Sequence, residues 1–270
     1  METRLWREML MPYYAAVEEL KMKFKHIAKE FRDMGVYSPI ETVKGRVKRI
    51  PSILEKAQKK DIDLEKIEEE IQDIAGVRII CQFVEDIEAV VEIIRNRKDM
   101  KVLEERDYVS DSKASGYRSY HIIIEYELHM HQGPKKIKAE IQVRTLAMDF
   151  WATTEHSLQY KYHGKMPDHI RARLHAAAEA IIMLDKEMSM VRSEIMDAQN
   201  DMQNTDYLIT EILSNIQNLY GVANTREINK IQDEFYRLYE LKDIDMLKRF
   251  CNELDIIAES YRAQAIQEEL

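Results

Sequence analysis

The segment IKAEIQVRT, residues 137–145, alternates: Lys138, Glu140, Gln142 and Arg144 point to one side of a strand, and Ile137, Ala139, Ile141 and Val143 to the other. An ordinary solvated face has this pattern, since half-exposed antiparallel strands commonly show it. The preceding segment YRSYHIIIEYEL alternates too, with Tyr117, Ser119, His121, Ile123 and Glu125 on one side, so a hairpin between the two would bring His121 and Glu140 to one surface. Asp73 stands just before GVRI, at the mouth of another strand; taken alone it reads as a cap or turn residue. Two carboxylates from separate strands, on a face without Cys or clustered His, suit a hard divalent cation such as Mg²⁺, which keeps waters and takes phosphate oxygens.

Phosphates need cations, and KGRVKRIPSILEKAQKK supplies them. With Pro51 as the first helical residue, Ser52 and Lys56 fall one turn apart on one face, Lys59 and Lys60 continue it, and Arg46 and Lys48 approach from the preceding segment. Free amides at such a helix start favour an anion; a basic, solvated helix is the competing reading. DSKASGYR adds a loop with Lys113, Arg118 and, beside a glycine, Tyr117, an aromatic that could stack on a base or cover a strand end. The seven glycines form neither G-x-G-x-x-G nor G-x-x-x-x-G-K, so a nucleotide site here would rely on side-chain cations.

The rest of the chain must position these groups. Its 270 residues allow a sizeable core, and a net charge of −9 argues against nucleic-acid binding by bulk electrostatics. No apolar run approaches the roughly 20 residues that cross a bilayer, and the start lacks a signal-peptide core, so a cytoplasmic protein without a membrane partner is expected. Cys81 and Cys251 form no disulfide framework and read as buried thiols. Helical spacing marks Pro12–Asp33, with Pro12 in its first turn or at a kink after a short helix over 2–10; GVYSPIETVKGRVKRIPS reads as loop and turn. Helices follow from Pro51 and over DLEKIEEEIQ, then the strand GVRIICQF, the helix DIEAVVEIIRNR and the strands KVLEERDY, YRSYHIIIEYEL and KIKAEIQVRT, the last two joined at MHQGPK as a hairpin. From Leu146 everything reads helical, including a long segment over 167–198, with Asn204, Thr225 and Asp243 as caps of later helices that pack or oligomerise.

Four blocks in order, GRVKRIPSILEK, QDIAGVRIICQF, RDYVSDSKASGYRSYHIII and EIQVRTLAMDFWATTEHSLQYKY, resemble the synthetase domain of the RelA/SpoT homologue family, and most of all its small alarmone synthetases of the RelQ and RelP kind. The resemblance implies an α/β (α+β) fold, a mixed β-sheet flanked by helices and related to nucleotidyltransferases, with long N- and C-terminal helices. The synthetase domain would span 1–203, with its core at 35–165, and a helical extension 204–270. The implied activity is that of a GTP pyrophosphokinase, moving the β,γ-pyrophosphate of ATP to the 3′-hydroxyl of GDP or GTP. By the same resemblance Asp73 and Glu140 hold Mg²⁺, and Glu140 accepts the hydroxyl proton or orients the hydroxyl. Arg46 and Arg78 sandwich adenine, while Lys48, Ser52 and Lys56 hold the ATP phosphates. Tyr117 stacks on guanine, His121 lies near the acceptor, Glu155 contacts the guanine edge, and Arg106 and Lys113 add phosphate or lid contacts. Relatives of this size form homotetramers.

Thr42 and Lys44 replace the aromatic and threonine with which RelQ-type enzymes bind a second alarmone between subunits, which speaks against allosteric activation here; Asp149 stands where many RelQ-like chains have Asn. No His precedes an Asp, so the His-Asp motif of the family's hydrolase domain is missing and synthesis without hydrolysis is expected. Two alternatives stay open: a nucleotidyltransferase that moves a nucleoside monophosphate, and a non-catalytic or RNA-binding regulatory member of the same fold.

Overall fold

A computed structural model describes residues 2–161, 166–220, 223–241 and 243–268, in two compact units, Met1–Met190 and Val191–Leu270. The first is built on a mixed sheet. Strands β1 (Thr42–Val47), β2 (Ala75–Cys81), β3 (Met100–Asp107), β4 (Tyr120–Met130) and β5 (Gly133–Thr145) lie in the order β1-β2-β5-β4-β3. Only β2 and β5 pair in parallel, through Ala75 opposite Ala139; the other neighbours are antiparallel. The expected hairpin is β4–β5: Met130 pairs with Gly133 across His131 and Gln132, and Gly133 holds φ at +107°, a left-handed conformation that favours glycine.

Alternation carries one face of this sheet into the core. Ile137, Ala139, Ile141 and Val143 of β5 are buried, as are Ile122 and Ile124 of β4 and Val77 and Ile79 of β2. The helices that share this core include α1 (Glu2–Asp33), through Leu10, Tyr13, Val17, Leu20 and Phe24, and α4 (Glu85–Arg95), through Ile87, Val90, Val91 and Ile94. Each fully buried side chain of this size contributes about 1.5–3 kcal/mol. Helix α1 continues through Pro12, because a missing N–H removes one rung while the buried stripe runs on across it.

Three sequence expectations need correction, the third being the cap at Thr225, described below with the second unit. The segment around Gly45, read as loop, is strand β1. Its inward positions are Val43, Gly45 and Val47, and a Cβ at Gly45 would stand 2.6 Å from Val17 Cγ1 and 2.5 Å from Lys21 Cδ. The glycine that resembles a breaker is where α1 crosses the strand. Asn204 caps nothing: it lies inside α6 (Asp168–Leu219), which runs on past 198 without a breaker. Between β1 and β2 lie α2 (Ile50–Lys60), a 3₁₀ turn at Leu64–Lys66 and the short α3 (Ile67–Glu70). Helix α5 (Leu146–Lys161) follows β5 directly.

The second unit is helical. Leu208, Ile212, Ile216 and Leu219 of α6 pack with Phe235 and Leu238 of α7 (Thr225–Leu241) and with Leu247, Phe250, Cys251 and Leu254 of α8 (Ile244–Glu268). Asp243 caps α8 as expected, its Oδ1 accepting the Met246 N–H at 3.1 Å, whereas at α7 the capping oxygen is Asn224 Oδ1 and Thr225 is already helical. Cys81 and Cys251 are buried free thiols.

Candidate active site

Strand register lines up the polar face. One row across five strands reads Lys44, Arg78, Gln142, His121 and Arg106; the next reads Arg46, Gly76, Glu140, Ile123 and Glu104. Directly paired residues share a face. Where Gly76 leaves the second row without a side chain, a cleft of about 70 Å³ opens, its walls including Arg46, Arg78, Glu140 and Gln142.

Glu140 forms one centre of this face. Its Oε1 lies 2.9 Å from His121 Nδ1 and its Oε2 accepts from Gln142 Nε2 at 2.8 Å. Burial pushes its carboxyl up, but the bonds from His121 and Gln142 outweigh that and hold it below the usual carboxylate range. With Glu140 ionised, His121 Nδ1 is the donor to it, and Nε2 faces the Tyr117 hydroxyl at 2.9 Å. Tyr117 lies in the loop before β4, and Lys113 from the same loop sits over its ring at 5.0 Å.

Asp73 forms the second centre, two residues before β2. Its Oδ2 accepts from Lys48 and from Lys56, the latter at 2.7 Å, while Oδ1 is buried without a hydrogen-bond partner. Burial raises its carboxyl, yet the two lysines hold it below its ordinary value; burial in turn pulls the Lys48 ammonium down. Glu140 feels the Asp73 charge. An unpartnered buried carboxylate oxygen within electrostatic reach of a second carboxylate is a donor set of the kind that a hard cation such as Mg²⁺ takes.

The other expected residues are distributed around these centres. Arg46 lines the cleft, and Arg78 lines it opposite a carboxylate discussed below. Ser52 is exposed on α2, one turn from Lys56. Arg106 is half exposed and bonds Glu104 at 2.6 Å. Glu155 on α5 hydrogen-bonds Gln159 and faces a separate cavity of about 390 Å³ with Ala114, Ser115 and Arg171, and burial raises its carboxyl. Lys138 bonds the Glu69 carbonyl at 2.6 Å and so braces α3.

Two residues of this face escape the sequence reading. Asp149 of α5 meets Lys44 at 2.9 Å, Arg78 at 2.9 Å and Arg144 at 3.2 Å. Tyr108 sets its ring edge-on to His121, centroids 5.1 Å apart, under the Lys113 ammonium at 4.5 Å. The sequence marks Asp149 only as a departure from the RelQ-like pattern, without a role, and Tyr108 only by its place inside a block of the resemblance.

Comparison with known proteins bears on the same region. A family model described as a region found in RelA / SpoT proteins matches residues 45–165. The GTP pyrophosphokinase YjbM of Bacillus subtilis (strain 168) is 52% identical over 199 residues, covering 74% of this chain and 94% of its own. Among solved structures, small alarmone synthetase 1 from Bacillus subtilis bound to its product pppGpp is 52% identical with a TM-score of 0.69, over 71% of this chain and 98% of that one. A GTP pyrophosphokinase family protein from Streptococcus pneumoniae is 51% identical with a TM-score of 0.68, over 72% and 96%.

Proposed function

Since this chain belongs to the RelA/SpoT family as one of its small alarmone synthetases, we propose that it transfers the β,γ-pyrophosphate of ATP to the 3′-hydroxyl of GDP or GTP, making (p)ppGpp and releasing AMP. The observation that supports this reading is a pair of carboxylate centres within electrostatic reach of each other: Glu140 held below its ordinary pKa by His121 and Gln142, and Asp73 with an unpartnered buried oxygen and two lysines.

The division of labour we propose is the one that the family resemblance implies. Arg46 and Arg78, across the cleft from each other's strand, take the adenine between their guanidinium planes. Lys48, Lys56 and Ser52, at and before the start of α2, face the triphosphate, where positive charge and free amides favour it. Tyr117 supplies the ring for guanine, with Glu155 for the base edge and Lys113 and Arg106 for acceptor phosphates. His121 stands beside the 3′-hydroxyl, and Glu140 orients that hydroxyl or takes its proton as the oxygen attacks the β-phosphorus and AMP leaves. Mg²⁺ held by Asp73 and Glu140 would supply positive charge against the transferring group.

Synthesis without hydrolysis, a homotetramer and a cytoplasmic location belong to the same proposal, as does a boundary between synthetase domain and helical extension at 203/204. No helix among the described residues is long and apolar enough to cross a membrane. Incubation of the purified protein with ATP, Mg²⁺ and GDP or GTP, followed by nucleotide separation and mass measurement, tests the activity. AMP together with a guanine nucleotide heavier by one pyrophosphate is the expected result; release of pyrophosphate with transfer of AMP would point to nucleotidyl transfer and overturn it.

A further inference from the structure

The mechanism leaves Asp149 without a role, although it is the most heavily engaged carboxylate on the polar face. Helix α5 begins as β5 ends, and its start is fixed by Thr145 Oγ1, which accepts the Met148 N–H at 3.1 Å. Asp149, in that first turn, sits where a helix N-terminus favours a carboxylate and reaches back across the sheet. Three strands send it a cation: Lys44 from β1 to Oδ2, and Arg78 from β2 and Arg144 from β5 to Oδ1. These strands are neighbours in the sheet, so one carboxylate spans them all.

The three cations are not equivalent. Lys44 is 60% exposed and keeps water around its ammonium, so its pair with Asp149 is weak. Arg144 is 1% exposed, and both its Nε and its Nη2 lack a hydrogen-bond partner. Arg78 is intermediate: its Nε is buried without a partner, its side chain reaches the cleft, and among the described residues its one hydrogen bond goes to Asp149, from Nη1 at 2.9 Å. Burial, and then the Arg78 charge, pull the Arg144 guanidinium down to about 10. Two arginines thus share one desolvated corner and repel each other, with one carboxylate between them. Remove that charge and the less confined arginine, Arg78, is free to leave for solvent, taking one wall of the cleft with it.

We propose that Asp149 is a positioning residue for ATP, balancing the buried Arg144 and thereby fixing the Arg78 guanidinium at the cleft wall; this rests on the adenine placement proposed above. Asp149 touches no substrate in this scheme. Its effect passes through Arg78, which separates it from a residue that merely stabilises the fold.

The experiment measures ATP affinity by calorimetry, the KM for the guanine nucleotide, and the thermal midpoint, for the unaltered protein, Asp149→Asn, Arg78→Ala and the double variant. Loss of a charge-assisted hydrogen bond predicts ATP binding weakened about tenfold or more in Asp149→Asn. The guanine-nucleotide KM stays unchanged, and the Asn substitution has no further effect once Arg78 is Ala. Equal weakening of both nucleotides, additive losses in the double variant, or an unaltered protein that binds no ATP overturns the proposal. Should Asp149→Asn fail to fold, Asp149→Glu keeps the charge but displaces the oxygens; it weakens ATP selectively if the proposal holds, and unchanged ATP affinity in it refutes the proposal. Calorimetry needs no turnover, so an unaltered protein that binds ATP yet transfers no pyrophosphate counts against the proposed activity alone.

Discussion

The two faces of the central sheet obey different rules. On the apolar face Ile122, Ile124, Ala139, Ile141 and Val143 are almost fully buried against α1 and α4, and close packing satisfies them all. On and beside the polar face, Asp73, Arg78 and Arg144 carry four buried polar atoms without a hydrogen-bond partner. Unpartnered buried polar atoms are rare in native structures because each costs about 1–3 kcal/mol. Among the described residues such atoms gather on the polar side, Arg118 Nε being the one other, so one side is governed by packing and the other by charge. The lesson is that a single strand, β5, carries both demands residue by residue.

Breaking each face separately sharpens the contrast. The largest effect expected is that of Glu140→Gln: general-base loss lowers turnover by about 10²–10⁴, while the thermal midpoint stays near that of the unaltered protein, because Gln still accepts from His121 and is similar in shape. Near-normal product formation by this variant would remove Glu140 from the chemistry. One residue along, Ile141→Ala should do the reverse, costing about 2–5 kcal/mol in chemical denaturation while the turnover of the folded fraction persists. A smaller loss is predicted for Gly45→Ala, about 1–3 kcal/mol from overpacking, since its methyl would collide with Val17 and Lys21; an unchanged denaturation midpoint would show that α1 can shift at no cost.

The smallest effect is acid sensitivity confined to the polar face. Asp73 and Glu140 both have folded-state pKa values below their ordinary ones. Their contribution is therefore complete above the unfolded carboxylate range and is lost as pH falls through the depressed folded values. Stability measured down through the carboxylate range should drop less in Asp73→Asn than in the unaltered protein, and equal slopes would contradict the native pairing with Lys48 and Lys56.

What could be read in advance follows the same division. The β4–β5 hairpin is legible because its alternation runs for many residues and ends at a reversal with Gly133, and with it comes the meeting of His121 and Glu140. Strand β1 is not, because one of its three inward positions is Gly45, whose reason is a helix 28 residues earlier at Val17. Helix α6 outruns its expected end because no proline or glycine interrupts 168–219. The role of Asp149 is invisible to any periodicity, since its partners come from three strands that only the sheet order brings together. The carboxylate at 149 was visible only as a departure from the family pattern.

The parallel pairing of β2 with β5 bears on how the molecule is made. Asp73 leaves the ribosome well before Glu140, and until β5 exists β2 has only β1 alongside it. Pairings between such distant segments form slowly, because a long loop must close before any contact rewards it. The sheet can therefore join its β1–β2 half to its β5–β4–β3 half only once the chain beyond residue 140 has been made.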